Sequence, residues 1–356
     1  MCGTPTARSR AGAATARPAP PCDVATYKDL QRLTGLSLST ISKHYNGLSV
    51  RPENRAAIEA AAAEVGFRVN GFARGLRSRR SRTVGVLLPA LDNEFHLSII
   101  AGLERALREE GIGVLVGVSR PEPGAAVDLL LEKMVDGIVA VPSAGDVDAL
   151  RRASEQGTPV VAVDWIDDAL VTDRVALDNA GAGASAARHL LDHGHRSIAV
   201  LGGEDGVSST RERTAGFLAA LAERGVHPAA DAVVRGPLTV ESGVAAVERI
   251  LALSPRPTAL FASNRELTAG ALIALGDSGL RVPTDLSVVG FDNVELARVV
   301  RPHLTTIAQP TEAIAAEAAA LVRLRLDSGA EQPGPQERRL PGRLLAGSSV
   351  AHLHDL

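Results

Sequence analysis

From Thr83 onward the sequence repeats one pattern, in which a short aliphatic run is followed by a longer stretch that fits a helix. Most of the runs lack polar alternation, which is typical of parallel strands buried on both faces. The pattern predicts a doubly wound α/β fold, and the length of the region favours two such lobes over one. The predicted strands are 84–89, 113–118, 137–142, 159–165, 174–179, 198–203, 258–263 and 287–292.

Two short helices joined by a turn precede that region. Gly35 allows the positive φ of a tight turn, and Ser37 is a candidate N-cap for the second helix. A third helix is predicted to start near Pro52 and to stop at Gly66. A short helix with small hydrogen-bonding residues near its N-terminus suits the major groove of DNA. The predicted three-helix core contains Leu30, Leu33, Ile41, Tyr45, Ile58, Ala61, Ala62 and Val65.

Charge is distributed unevenly along the chain. Residues 23–82 carry a net charge of +6, whereas residues 83–356 carry −12. A basic module beside an acidic one indicates anion binding at one end only, although a merely solvated basic face is the alternative. Residues 67–82 contain six arginines, two glycines and no acid, so they are predicted to be a linker unless a partner orders them.

Several classes of protein are disfavoured. Residues 1–22 read as a disordered leader without a signal-peptide core, and no apolar run reaches the roughly 18 residues of a membrane span. Cys2 and Cys22 are the only cysteines, and no thiolate or histidine metal motif is present, so we expect a cytoplasmic protein without bound metal. Residues 181–186 resemble a dinucleotide fingerprint, but close helix packing explains these small residues better. No catalytic residue and no cofactor are predicted.

Polar and aromatic side chains recur where the predicted strands end. Ligands of parallel sheets bind beyond those carboxyl ends, so the set indicates a pocket for a small polar ligand. Each residue alone could be an ordinary helix cap. The polar and aromatic residues of this set include Phe95, Asp164, Trp165, Asp178, Asn179, Arg213, Phe261, Asn264 and Asp292.

Eight segments together resemble the LacI/GalR family of bacterial transcription regulators. Each is modest alone, but their order and spacing are specific. They are TGLSLSTISK (34–43), VNGFARGLRS (69–78), VGVLLP (84–89), VDGIVAVP (135–142), RHLLDHGHRSIAVLGG (188–203), RERTAGF (211–217), LRVPTDLSVVGFDN (280–293) and LTTIAQP (304–310).

The resemblance implies a DNA-binding headpiece and a core similar to periplasmic sugar-binding proteins. The expected parts are a leader (1–22), a helix-turn-helix domain (23–66), a hinge (67–82), a two-lobed effector-binding and dimerisation domain (83–348) and a tail (349–356). By position, Leu38, Ser39 and Lys43 match base-reading residues. Thr40, Ser42 and Asn46 match phosphate contacts. In the hinge, Leu76 matches a leucine that wedges into the minor groove beside Asn70 and Ala73.

The same resemblance implies an effector site between the lobes. Its expected contacts are Phe95, Asp164, Trp165, Arg213, Phe261, Asn264, Asp292 and Gln309. Arg265 departs from the family, which frequently has an aspartate at that position. A sugar is favoured as effector over a purine, for which Trp165 and Phe261 could form a stacking site. The implied protein is a homodimeric repressor of operator DNA, and the alternative is a ligand-binding protein without effective DNA regulation.

Overall fold

The computed structural model describes residues 25–45, 48–67, 80–119, 121–165, 169–328 and 333–353. The chain divides into two compact units, residues 1–78 and residues 79–356, which are described separately below. Among the predicted site residues, Asn46, Asn70, Ala73 and Leu76 lie outside the described residues, as does the leader 1–22.

The first unit contains helices α1 (Tyr27–Thr34), α2 (Leu38–Tyr45) and α3 (Pro52–Val65). The Asp29 carboxylate accepts hydrogen bonds from the backbone N–H and the hydroxyl of Thr26, at 2.9 and 2.8 Å, and so fixes the start of α1. Gly35 ends α1 with a φ of 67°, and Gly66 ends α3 with a φ of 61°. The predicted turn and the predicted end of the third helix are therefore present.

The core of this unit is small and partly aromatic. Leu30, Ile41 and Ile58 are fully buried, and Ala61 lies with them. The rings of Tyr27, Tyr45 and Phe67 surround them, with centroid distances of 5.2 to 5.8 Å. The prediction for Leu33 was wrong, since its side chain is 41% exposed. Leu33 lies about 60° around α1 from Leu30, at the edge of the buried stripe, and it is in the last turn before Gly35 ends the helix.

The second unit contains two six-stranded sheets. Its strands are β1 (Thr83–Leu88), β2 (Gly113–Val118), β3 (Gly137–Ala140), β4 (Val160–Val163), β5 (Asp173–Leu177), β6 (Ile198–Gly203), β7 (Val233–Gly236), β8 (Ala259–Ala262), β9 (Ser287–Phe291), β10 (Thr305–Ala308), β11 (Glu337–Leu340) and β12 (Arg343–Leu345). Its helices are α4 (Glu94–Arg108), α5 (Ala125–Glu132), α6 (Val147–Glu155), α7 (Asn179–Asp192), α8 (Ser208–Ala222), α9 (Val240–Leu251), α10 (Arg265–Ser278), α11 (Val294–Val299) and α12 (Thr311–Asp327).

Each sheet forms the centre of one lobe. Lobe 1 has the strand order β11-β5-β4-β3-β1-β2, and lobe 2 has the order β12-β10-β9-β8-β6-β7. The strand pairs are parallel except for β10 with β12. The predicted doubly wound fold with two lobes is therefore confirmed, and all eight predicted strands are present. The strands that were not predicted as such are β7, β10, β11 and β12.

The chain passes between the lobes at three points. It leaves lobe 1 after β5 at Asp178, returns after β10 at Gln309, and crosses again between β11 and β12 at Gly342. The return places α12 in the core of lobe 1, where Ile314 and Leu321 are buried beside β-strand residues. Among the described residues, no helix is both long and apolar enough to cross a membrane.

Two predicted boundary segments make contacts with the second unit. At the end of the predicted hinge, the backbone N–H groups of Ser81 and Arg82 donate to the Asp136 carboxylate at 2.6 and 2.7 Å. In the predicted tail, the Ser349 hydroxyl accepts from Thr305 N–H at 2.8 Å and donates to the Val288 carbonyl at 2.6 Å. The beginning of the tail is thus fastened to lobe 2, because Ser349 satisfies backbone groups at the start of β9 and β10.

Candidate ligand cleft and helix-turn-helix face

The outward face of α2 begins with hydroxyl-bearing residues. The Ser37 Oγ lies 3.2 Å from Thr40 N–H and accepts its hydrogen bond, which is the N-cap geometry that the sequence predicted. The same oxygen is 2.8 Å from the Ser39 hydroxyl and 2.9 Å from the Thr40 hydroxyl. Ile41 anchors the opposite face in the core with no exposed surface. The helix therefore holds its first turn rigidly while its polar side stays outward.

The five predicted DNA contacts in α2 are all at least partly accessible. Leu38 is 41% exposed, so its side chain is accessible to a partner. Ser39 and Lys43 are also exposed, while Thr40 and Ser42 are half-buried. This face combines an apolar side chain, hydroxyls and one ammonium, a mixture that can contact base edges and phosphates.

In the second unit, the cleft between the lobes starts at two matching aspartates. Asp164 follows β4 and Asp292 follows β9, and these strands have the same place in their two sheets. Each aspartate has a φ of 54°, in the left-handed region that aspartate tolerates better than most residues. Asp164 N–H donates to Val175 O at 3.0 Å, and Asp292 N–H donates to Ile307 O at 2.7 Å. Both carboxylates therefore lie at carboxyl ends of parallel strands.

Arg213 of α8 places a guanidinium in the interior of this region. Only 3% of the residue is exposed. Its Nη2 donates to Asn179 Oδ1 at 2.7 Å, and its Nη1 donates to the Ser263 carbonyl. Its Cζ lies 3.4 Å from the ring centroid of Phe291, which adds a cation–π contact. One cation thus joins the ends of two strands of lobe 2, β8 and β9, with the first residue of α7.

Burial and the shared guanidinium shift the protonation equilibria of the cleft. Burial raises the pKa of Asp164 to about 6, with Asp292 adding to the rise, while Arg213 and the Ser209 hydroxyl oppose it. Burial also raises the pKa of Asp292, against the hydrogen bond from Gln309 and the charge of Arg213. Burial lowers the pKa of Arg213 to about 10, so the guanidinium remains charged. The charge of Arg213 therefore stabilises the ionised forms of both Asp164 and Asp292.

Several buried polar atoms in and around the cleft have no hydrogen-bond partner within the protein. Buried polar groups are normally paired, so a group of unpaired ones requires a ligand or bound water. The set offers both donors and acceptors, as a ligand rich in hydroxyls demands. The atoms are Asp164 Oδ1, Trp165 Nε1, Asn179 Nδ2, Arg213 Nε, Thr214 Oγ1, Ser263 Oγ and Gln309 Oε1.

A cavity of about 230 Å³ lies between the lobes. Three of the predicted contacts line it, namely Phe95, Asp292 and Gln309, and Gln309 Nε2 donates to Asp292 Oδ2 at 2.8 Å. The remaining lining residues were not among the predicted contacts, and most adjoin a strand end in sequence. They are Glu94, Ser98, Arg265, Asn293, Val294, Glu295 and Thr311.

The other predicted contacts have different surroundings. Phe261 is wrong as an effector contact, because it is fully buried in lobe 2 and its ring stacks on Phe217 at 4.5 Å. Its place within β8 points the side chain into the core. Asn264 caps α10, since its Oδ1 accepts from Leu267 N–H at 2.8 Å and its Nδ2 donates to Glu266 at 2.6 Å. Trp165 is half-buried against the core of lobe 1.

Asn179 and Ser263 are two further polar residues whose part in the cleft the sequence did not assign. Asn179 is one of the strand-end residues of the sequence, but only the fold shows that its side-chain oxygen, Oδ1, accepts a hydrogen bond from Arg213. Ser263 ends the β8 run, and its backbone oxygen is the second acceptor. A polar residue directly after an aliphatic run was the available signal in both cases.

The glycines of the apparent dinucleotide fingerprint serve helix packing. A side chain on Gly183 would overlap the backbone of Arg213 and Phe217 in α8, and one on Gly216 would overlap the backbone of Ala180 in α7. These glycines let α7 and α8 approach closely, which sets the position of Arg213. In the described part of the chain, no group of three or more His, Cys, Asp and Glu could hold a metal ion.

Relatives share most of this chain. Residues 187–350 match a family model described as a periplasmic binding protein-like domain. Catabolite control protein A of Priestia megaterium is 32% identical over 303 residues, which cover 83% of this chain and 91% of the relative. The transcriptional repressor PurR of Escherichia fergusonii is 32% identical over 335 residues, 92% of this chain and 97% of the relative.

Solved structures agree with these relatives. The structure of the lac repressor dimer bound to operator and the anti-inducer ONPF has a TM-score of 0.82 at 26% identity, covering 92% of this chain and all of that one. A LacI family regulator from Enterococcus faecium with bound ribose has a TM-score of 0.67 at 28% identity, covering 76% and 99%. These similarities confirm that the protein is a regulator and not an enzyme. The chain belongs to the LacI/GalR family of DNA-binding transcriptional regulators.

Proposed function

We propose that this protein is a cytoplasmic homodimeric repressor whose affinity for its operator is set by a small polar effector bound between the two lobes. Two observations together support the proposal: the cleft contains unpaired buried polar atoms, and the polar face of α2 is accessible to solvent. An effector that binds between the lobes shifts the protein between an open and a closed form of the cleft. This shift couples effector binding to the DNA affinity of the headpiece.

On the DNA side, α2 acts as the recognition helix. Leu38, Ser39 and Lys43 are assigned to base edges, and Thr40 and Ser42 to phosphates. The exposure of Leu38 supports this assignment, because an apolar side chain outside a core gains from contact with a thymine methyl group. Asn46 is assigned to a phosphate as well, although it lies outside the described residues.

The predicted hinge, residues 67–82, completes the DNA contact in this proposal. Its arginines repel one another in free protein and are neutralised by phosphates on DNA. Asn70, Ala73 and Leu76 lie outside the described residues, and Leu76 is assigned the wedge in the minor groove. Leu76→Ala is expected to weaken specific binding much more than nonspecific binding, and equal losses in a gel-shift titration would contradict the wedge.

On the effector side, the chemistry of the cleft favours a sugar. Asp164, Asp292, Asn179, Arg213 and Gln309 offer the carboxylates, amides and guanidinium that hydroxyl groups pair with. The cavity of about 230 Å³ suits a small ligand. The regulator from Enterococcus faecium described above holds ribose, which agrees with this class.

A purine effector is the second candidate, and Trp165 is the observation that favours it. Its indole Nε1 is buried without a partner beside Asp164, and an indole face can stack on a heterocycle. Phe261 does not supply a second face, because it stacks on Phe217 in the core. Thermal-shift measurements with hexoses, pentoses, hypoxanthine and guanine distinguish the two, since the true effector raises the melting temperature.

The homodimer is supported by apolar side chains on the surface of the second unit. Leu97 of α4 is 49% exposed, Val116 of the edge strand β2 is 37% exposed and Leu129 of α5 is 40% exposed. An edge strand with exposed apolar neighbours is a liability in a monomer and suits an interface. We expect light scattering to give twice the chain mass, and Leu97→Glu to reduce it.

Operator binding is tested by gel shift with DNA from upstream of the protein's own gene. We expect a sequence-specific shift that weakens steeply with salt, because Lys and Arg displace counterions from phosphates. Lys43→Ala in α2 is expected to lower specific affinity by about tenfold, near the lower end of the range for one lost contact. Lys133→Ala, which removes an exposed lysine from the second unit, is the matched control. No specific shift with the unaltered protein would contradict the repressor function.

A further inference from the structure

Two glutamates from opposite lobes meet at the mouth of the cavity. Glu94 is the first residue of α4 in lobe 1, and Glu295 lies in α11 of lobe 2. Both line the cavity, and both remain accessible to solvent. The hydrogen bond with the Glu295 carboxyl raises the pKa of Glu94, with burial adding to the rise. Two ionised carboxyl groups this close repel each other, and a cation between them relieves that repulsion.

The cavity carries an excess of negative charge. Asp292 adds a third carboxyl group to its lining, whereas Arg265 is the one cation among the described lining residues. Arg265 donates from its Nε to Asn293 Oδ1 at 3.0 Å, and its charge opposes the rise in the pKa of Glu94, but it is outnumbered by the three carboxyl groups. The charge of Arg213 is shared between Asp164 and Asp292, deeper in the cleft. The ligand is therefore the natural source of a further positive charge.

The cavity also presents an uncharged acceptor. Gln309 Oε1 is buried and has no partner, while the amide nitrogen of the same side chain is used by Asp292. A protonated primary amine has three N–H donors and no acceptor, which suits two carboxylates and an amide oxygen. A divalent metal fits less well, because no cluster of three or more suitable ligands occurs among the described residues.

We propose that the effector is a polyhydroxyl compound with a protonated primary amine, as in an amino sugar, and that the amine binds between Glu94 and Glu295. This inference rests on the proposed effector function of the cleft and names its ligand class. The hydroxyl groups pair with the unpaired donors and acceptors near Asp164 and Arg213, while the amine lies between the two glutamate carboxyl groups. Charge-assisted hydrogen bonds across the cleft then connect α4 with α11.

The test compares matched sugars on the full-length protein. Glucosamine, galactosamine and mannosamine are each measured against the parent hexose and the N-acetyl derivative, by thermal shift and titration calorimetry, at a pH where the amine is protonated. We expect at least one amino sugar to bind about tenfold tighter than both of its neutral counterparts. Raising the salt concentration is expected to reduce this preference, because the glutamates are exposed.

Substitutions locate the amine. Glu94→Gln and Glu295→Gln are each expected to reduce the preference for the amino sugar to about threefold or less. Glu109→Gln, which removes an exposed glutamate just after α4, is the matched control and is expected to retain the preference. Melting curves of the three variants verify that each one folds.

Three results would overturn the inference: no preference for any amino sugar in the unaltered protein, a preference that persists in both cavity variants, or a loss that also occurs in Glu109→Gln. The absence of binding by every sugar tested belongs with the first of these. The repressor function is judged separately by the gel shift with operator DNA, which does not depend on the charge of the sugar.

Discussion

Asp164 in lobe 1 and Asp292 in lobe 2 follow equivalent strands and have the same backbone conformation, but their carboxylates differ in their hydrogen-bond partners. Asp292 Oδ2 accepts from Gln309 at 2.8 Å, whereas Asp164 Oδ1 is buried and unpaired. Beside Asp292, Arg213 is fixed by Asn179, Ser263 and Phe291. Asp292 is thus already paired within the protein, while Asp164 keeps one oxygen for a ligand, and the other unpaired polar atoms occur in both lobes. Equivalent positions in two similar sheets can therefore differ in the hydrogen-bonding groups that they leave for a ligand.

The strongest way to break this comparison is to remove the cation that assembles lobe 2. Arg213→Ala leaves two buried carboxyl groups without their guanidinium and is expected to lower the free energy of unfolding by about 3–5 kcal/mol. Any thermal shift caused by the effector is expected to vanish. Arg211→Ala, which removes an exposed arginine two residues earlier, is the control for urea unfolding. Similar losses in both variants would show that lobe 2 does not depend on its buried cation.

A smaller effect is expected from disturbing how Arg213 is positioned. Gly183→Ala forces a methyl group into the backbone of α8 and is expected to lower the free energy of unfolding by about 1–3 kcal/mol. Gly276→Ala in α10 meets no neighbouring atom and is expected to raise it by about 0.5–1 kcal/mol. Urea unfolding measures both. A neutral Gly183→Ala would mean that the close approach of α7 and α8 is not required.

The smallest expected effect is on lobe 1 and has the opposite sign. The native pKa of Asp164, about 6, lies above its ordinary value of 3.8, so the carboxyl group's contribution to stability is lost as the pH rises from about 4 to about 6. Asp164→Asn removes this loss and is expected to raise the free energy of unfolding by about 1–2 kcal/mol at pH 7.5 while weakening the effector response.

Urea unfolding between pH 4 and pH 8 measures the Asp164 effect. The gain is expected to shrink toward pH 4, where the native carboxyl group is already protonated. Asp128→Asn, at an exposed position of α5, serves as the control. A gain that is independent of pH would contradict the electrostatic cause and would point to better packing of the amide.

The sequence revealed the strands that form clear aliphatic runs and missed four strands whose runs are short or interrupted by polar residues. β11 has the sequence ERRL and β12 has RLL, so their charges hide them among surface loops, although both lie at sheet edges where charge is favoured. β7 is a short edge strand that ends in Arg235 and Gly236. β10, TTIA, is central and buried, but its two threonines and short length mask the apolar run.

Prediction of the cleft followed the same physical division. Strand-end residues such as Asp164 and Asp292 could be located because the fold class fixes where carboxyl ends converge. Glu94 and Glu295 were not chosen because their significance arises from two helices in different lobes. Phe261 was misjudged because the sequence does not reveal which face of β8 its ring occupies, and only its stacking on Phe217 decides this.

The three crossings between the lobes mean that neither lobe is one continuous stretch of the gene. Lobe 1 is assembled from β1 to β5, then α12, then β11, and lobe 2 takes the intervening segments and β12. No single truncation yields one intact lobe, and one proteolytic cut in a crossing leaves two covalent connections. During synthesis, lobe 1 cannot be completed until all of lobe 2 except β12 has emerged from the ribosome, so the two halves of the cleft become complete at nearly the same time.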